Sequence, residues 1–109
     1  MLERRERLKL EDGRELRLLS ALEVLEARRE AEGLARAPKE HALCSNACLL
    51  ARALETEEGS PIFSGGEAVL AGLRGGGIAA LAKIWSQFNR EENPALTMGQ
   101  EEAEALKKN

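Results

Sequence analysis

The stretch Glu40–Leu50, EHALCSNACLL, holds the only histidine and both cysteines of the 109-residue chain. His41, Cys44 and Cys48 stand at i, i+3 and i+7, so a helix that contains them turns all three to one side. That spacing admits two readings, a metal or redox site and the inner stripe of a buried helix. As a zinc site it is short of ligands: structural zinc takes four, the chain has no further His or Cys, and a carboxylate would have to complete the set. As a core stripe it continues outward. Leu43, Ala47, Leu50 and Leu54 recur at spacings of four, three and four, with Cys44, Cys48 and Ala51 on the adjoining line. Free cysteine is among the most buried residue types, and a Cys44–Cys48 disulfide would strain a continuous helix. The stretch therefore reads as the buried side of a central helix that begins after Pro38, a residue suited to a first turn, and runs to Gly59. His41 lacks the nucleophile and orienting acid that a general base needs, since Ser45 falls on another side of the helix and no Gly-x-Ser-x-Gly elbow occurs. It reads as a solvated residue near a helix N-terminus.

Upstream, ERLKLEDGRELRLL (residues 6–19) places Leu8 and Leu10 before Asp12-Gly13 and Leu16 and Leu18 after it, with charged residues between. Alternation around Asp-Gly is the short-range signal of a β-hairpin, although the Arg, Glu and Leu content equally permits a helix broken at Gly13. In LLSALEVLEARREAEGL, Ser20 and Glu23 form a capping box, and Leu19 and Val24 stand where a hydrophobic staple would pair them, so a helix should start at Ser20. Leu22, Leu25, Ala27 and Ala31 supply its apolar side, Glu23, Glu26, Arg29 and Glu30 its wet side, and Gly33 a left-handed stop, which ends the helix near Glu32.

Downstream, SPIFSGGEAVLAGL puts Ile62 and Phe63 in an extended piece and offers Ser64 with Glu67 as a second capping box for a short helix through Val69 to Leu73. The three glycines of Arg74–Gly77, RGGG, interrupt it. In IAALAKIWSQFNREENP, Ile78, Leu81, Ala82, Trp85 and Phe88 share one helical face and Lys83, Gln87 and Arg90 the other, until Asn93-Pro94 ends the helix. The tail 94–109 is polar apart from Leu96, Met98 and Leu106. RGGGI and SGGE lack the Gly-Lys-Ser/Thr ending of a phosphate loop and read as turns. Glu91-Glu92 and Glu101-Glu102 splay apart on a helix and read as solvated charge.

The length suits one domain, with an extended or hairpin region over 1–19, a helical core over 20–93 and the tail beyond. Hydrophobic residues make up 43% and aromatics only 3%, and Leu, Ala, Glu and Arg recur, a mixture that favours helices. The expected fold is mainly α, a small bundle of three to four helices with an N-terminal β-hairpin or extended segment. Residues 1–36 carry nine Lys/Arg against nine Asp/Glu, interleaved, so no basic stripe offers itself to nucleic acid. Neither a secretory signal nor a membrane span is legible, and two cysteines are too few for a disulfide scaffold, so a cytoplasmic protein in a reducing compartment is expected. With three aromatics in the chain, Trp85 and Phe88 either fill the core or anchor a partner. Ile62, Phe63, Trp85 and Phe88 are the candidate partner-binding residues. No catalytic residue and no cofactor emerges.

The order RELRLL into SALEVLEAR, then ALCSNACLLARAL, PIFSGGEAVLAGL and IAALAKIWSQFNRE, resembles the small tail assembly chaperones of long-tailed bacteriophages and prophages over residues 14–92. The resemblance implies a non-enzymatic helper in a bacterial host that associates with the tape measure protein, keeps its long hydrophobic helices soluble and recruits tail tube subunits. It also implies a longer frameshifted product; the ending LKKN can be encoded by an A-rich slippery run, as Lys and Asn codons always permit. RGGG departs from the polar helix-starting segment expected there. Two other readings stand beside it: a thiol- or metal-responsive regulator using His41, Cys44 and Cys48, and a homodimeric structural phage module, with homo-oligomer formation open in either case.

Overall fold

The computed structural model describes residues 7–92. Its elements are β1 (Arg7–Lys9), β2 (Glu15–Arg17), α1 (Ala21–Leu34), a single 3-10 turn (Pro38–Glu40), α2 (His41–Ala53), β3 (Leu54–Glu55), α3 (Gly66–Gly72) and α4 (Gly75–Glu92). The fold is mainly helical with a three-stranded antiparallel sheet in the order β1-β2-β3. Among the described residues no helix is long and apolar enough to cross a membrane.

The hairpin forms where Asp-Gly predicts it. Arg7, Leu8 and Lys9 pair with Arg17, Leu16 and Glu15, and Leu10 and Arg14 close a three-residue loop in which Gly13 adopts φ 94°. That left-handed geometry is the one a three-residue hairpin loop asks of its last residue, and glycine adopts it without steric cost. The register sets Arg7 directly opposite Arg17, a repulsive pairing by itself. Glu55, which reaches in from β3 and is 7% exposed, resolves it by accepting from Arg7 Nη1 and Arg17 Nε, while Glu15 takes Arg7 Nε. Arg17 continues the network to Glu23 at 2.6 Å, tying the sheet to the first turn of α1.

Helix α1 begins as expected. Ser20 Oγ accepts from Glu23 N at 3.1 Å, and the Glu23 carboxylate accepts from Ser20 N at 2.9 Å. Leu19 and Val24 both reach the main core cluster. The helix does not stop at Glu32: it runs through Gly33, which keeps a negative φ, to Leu34, because Leu34 packs against Ala27, Ala31, Cys44 and Cys48. Its buried face is also displaced from the predicted one. Val24, Ala27, Ala31 and Leu34 turn inward, whereas Leu22 is 60% and Leu25 44% exposed. Small side chains let α1 lie close against α2, so the alanines and not the leucines hold the contact.

Pro38 opens the turn that feeds α2, as its fixed φ suits. Cys44, Ala47, Cys48, Leu50 and Ala51 are buried as the stripe predicts, but Leu43 faces solvent. The helix ends at Ala53 rather than Gly59. Leu54 and Glu55 switch to a strand because β2 presents unpaired backbone groups, and Leu54, fully buried, completes the core across from Leu16. A second three-residue loop follows, Glu57-Glu58-Gly59 closed by Thr56 and Ser60, with Gly59 at φ 88°. Ile62 N then donates to Leu54 O, and Ile62 and Phe63 lie half-buried against the core.

The second predicted capping box is absent. Gly65 is the N-cap of α3 and has no side chain to offer, and Glu30 of α1 supplies the missing acceptor by taking Gly66 N at 2.8 Å. The chain breaks at Leu73–Arg74, and the three glycines are not the interruption: they form the first turn of α4, where Arg74 O accepts from Ile78 N. Helical N–H groups in a first turn lack intrahelical partners in any case, so weak helix formers are best tolerated there. From Ile78 on, α4 buries the predicted face, Ile78, Ala82, Trp85 and Phe88, with Leu81 half-buried and Lys83, Gln87 and Arg90 exposed. The expected stop at Asn93-Pro94 and the tail 94–109 lie outside the described residues.

Candidate helix-binding groove

His41, Cys44 and Cys48 are not brought together. The two thiols are buried against Ala27 and Ala31, where α1 and α2 meet, while His41 is exposed beside a shallow depression lined by Glu32, Arg36 and Pro38. Burial pushes the Cys48 thiol up to about 12, and the neighbouring Glu30 carboxylate adds to the shift, so at neutral pH the sulfur is a protonated, packed side chain and a poor nucleophile. Among the described residues no group of three or more His, Cys, Asp or Glu is placed to hold a metal ion.

The candidate partner-binding residues divide differently from expectation. Trp85 and Phe88 are core residues, 5% and 2% exposed. Trp85 packs in the main core cluster with Leu16 of the sheet, and neither aromatic protrudes, so of the two readings open for them the core-filling one is observed. Trp85 Nε1 donates to Arg17 O at 2.8 Å, so the indole finds its polar partner on β2. Ile62 and Phe63 lie half-buried against the same core cluster that contains Trp85. Phe63 lies against Gly72, where an added Cβ would meet its ring at 2.8 Å.

What the three helices do build is a groove of about 540 Å³ between α1, α2 and α4. Val24 and Ala27 from α1, Leu49 from α2 and the edge of Trp85 from α4 supply its apolar part. Ala21, Leu25 and Arg28 follow one another at i, i+4 and i+7 along the α1 wall. Ser45 and Asn46 of α2 and Ser86 and Asn89 of α4 add hydroxyl and amide groups. Leu25 stands exposed on the lip with Leu22 one turn before it. A smaller depression of about 180 Å³, lined by Leu8, Ile84, Gln87, Phe88 and Glu91, lies on the opposite side of α4.

An apolar floor with polar walls and a rigid helical frame is the form taken by sites that receive an amphipathic helix. The groove's lining includes no pair of carboxylates and no thiol. Of its lining, sequence reasoning named only Trp85 as a candidate partner-binding residue. The available signal was on α1, which carries two apolar stripes, Val24-Ala27-Ala31 and Leu22-Leu25, more than one neighbouring helix can cover. No family model, curated protein or solved structure matches the chain.

Proposed function

We propose that this protein is a binding helper of the tail assembly chaperone kind, which acts without catalysis, holds a hydrophobic helix of the tape measure protein in soluble form and helps recruit tail tube subunits. The groove between α1, α2 and α4 is the observation that carries the reading. It joins an apolar floor to a lip of exposed leucines, 60% accessible at Leu22 and 44% at Leu25, and exposed apolar residues grouped beside a concave surface mark an interaction site. The resemblance over residues 14–92 supplies the partner; the groove supplies a place for it.

The test is co-expression with the tape measure protein encoded in the same gene cluster. The helper should move that protein into the soluble fraction and co-elute with it, and Leu25→Asp, a change on the exposed lip, should abolish both effects while leaving the circular dichroism of the helper unchanged. A gene neighbourhood without a long tape measure gene, or a tape measure protein equally soluble alone, overturns the reading.

A further inference from the structure

One carboxylate fastens three helices. Glu30, on α1, accepts from Arg52 Nη1 of α2 at 2.7 Å through Oε1 and from Gly66 N of α3 at 2.8 Å through Oε2. Arg52 Nη1 also donates to the Cys48 carbonyl at 3.0 Å, so the acceptor presented to α3 is fixed on the α1–α2 pair. Helix α3 has little else to hold it. It buries only Gly66 and Val69, where α2 buries six residues and α4 four, and Leu70 adds a half-buried contact to both core clusters. Glu67, Ala71 and Gly72 face solvent. The chain is anchored on either side of this helix: upstream, Pro61 bridges to Glu55 and Ile62 N donates to Leu54 O, and downstream Ile78 N closes the first turn of α4 on Arg74 O. Between anchors and helix lie Ser64-Gly65 and Leu73-Arg74, joints outside any helix or strand.

From this arrangement we propose that residues 64–74 are a strap that undocks as a unit while the sheet, α1, α2 and α4 stay packed, with the Glu30 carboxylate as its fastener and the Cys48 thiol as the group it uncovers. Gly66 stands so close to Cys48 Sγ that an added Cβ would collide with it, and Cys48 is fully buried, so with α3 docked no reagent reaches the sulfur. Undocking lifts the Gly66 backbone off the thiol and brings one fully buried apolar side chain, Val69, into water, whereas global unfolding exposes the whole core. An opening that exposes less apolar surface lies lower in free energy than global unfolding and is visited more often. The rate of any reaction at Cys48 is then set by the strap.

Hydrogen exchange and thiol labelling of the full-length protein read this opening by two routes. The Val69 and Leu73 amides, bonded within the strap to Gly65 O and Val69 O, should exchange with a weak dependence on urea, whereas the Leu50 and Ala51 amides of α2 should show the steep dependence of global unfolding. In a Cys44→Ala background iodoacetamide, which alkylates sulfur with loss of iodide, should label Cys48 with the same weak dependence. Glu30→Ala, which removes the acceptor, should raise α3 exchange and Cys48 labelling about tenfold, both by the same factor, with the circular dichroism unchanged. Steep urea dependence at Val69 and Leu73 would mean that α3 leaves only when the molecule unfolds, and overturns the strap. Exchange at α3 that Glu30→Ala does not alter overturns the role of the carboxylate. Labelling of Cys48 that follows global unfolding while α3 opens freely overturns the uncovering of the thiol.

Discussion

Gly66 has no room for a side chain. A Cβ built there would collide with Cys48 Sγ and stand 3.2 Å from Cys48 Cα and from Leu34 Cδ1, so the start of α3 meets α2 through bare backbone. Gly66→Ala should cost about 1–3 kcal/mol by overpacking. In a Cys48→Ala background the same change should cost less, since the sulfur it strikes is gone, and urea unfolding of the four proteins measures that coupling. Equal costs in both backgrounds would mean that backbone, and not the thiol, sets the limit. Glu23 gives a second residue-scale prediction. The Arg17 guanidinium holds its carboxyl at about 2, below the ordinary 4.5, against a smaller opposing effect of partial burial. The folded state therefore prefers the charged carboxylate. Its stabilisation is complete above pH 4.5 and is lost as pH falls toward 2, because the unfolded chain takes up its proton first. Glu23→Gln should flatten that part of the stability–pH curve. A limb as steep as in the unaltered protein would place the acid sensitivity elsewhere, with Glu30 the next group to change, since Arg52 and the Gly66 amide hold its carboxyl low despite burial.

At the scale of elements, the sequence was most legible where the determining contacts were local. The Asp12-Gly13 hairpin, the Ser20–Glu23 capping box and the Cys44–Leu50 stripe are each decided within a few residues, and each formed as read. Elements decided by distant neighbours were not legible. β3 is two residues long and exists because β2 needed a partner, although the loop after it, Glu57-Glu58-Gly59, repeats the pattern Glu11-Asp12-Gly13 and could have announced a second reversal. The buried face of α1 was misread because Leu outranks Ala in hydrophobicity, whereas close approach to α2 selected the smaller side chain. The second capping box failed because Glu30, 36 residues before Gly66, satisfied that N–H first. The glycine turn of α4 leaves an element-scale prediction. Gly76 has negative φ and nothing within 4 Å of an added Cβ. Gly76→Ala should thus stabilise the protein by about 0.5–1 kcal/mol, chiefly by restricting the unfolded chain. A loss of stability in thermal unfolding would show that the turn needs glycine for a contact outside the described residues.

For the whole molecule, the class of fold followed from composition and periodicity, but the groove did not, because a concave surface is a relation among three helices and no single stretch contains it. Arg28, Ser45 and Ser86 are unremarkable in sequence and acquire a common role only once α1, α2 and α4 are packed. The same dependence on assembly governs α3. It has seven residues, too few to persist alone, no capping side chain of its own, and an N-terminus held by a carboxylate from α1. The order of folding follows from this. α3 cannot acquire its cap until α1 and α2 are docked, so the Glu30–Gly66 bond should be a late event, absent from the transition state. In stopped-flow kinetics Glu30→Gln should then accelerate unfolding and leave the folding rate nearly unchanged. A folding rate that drops in step with stability would instead make the borrowed cap part of the nucleus, and α3 one of the first pieces of the chain to commit.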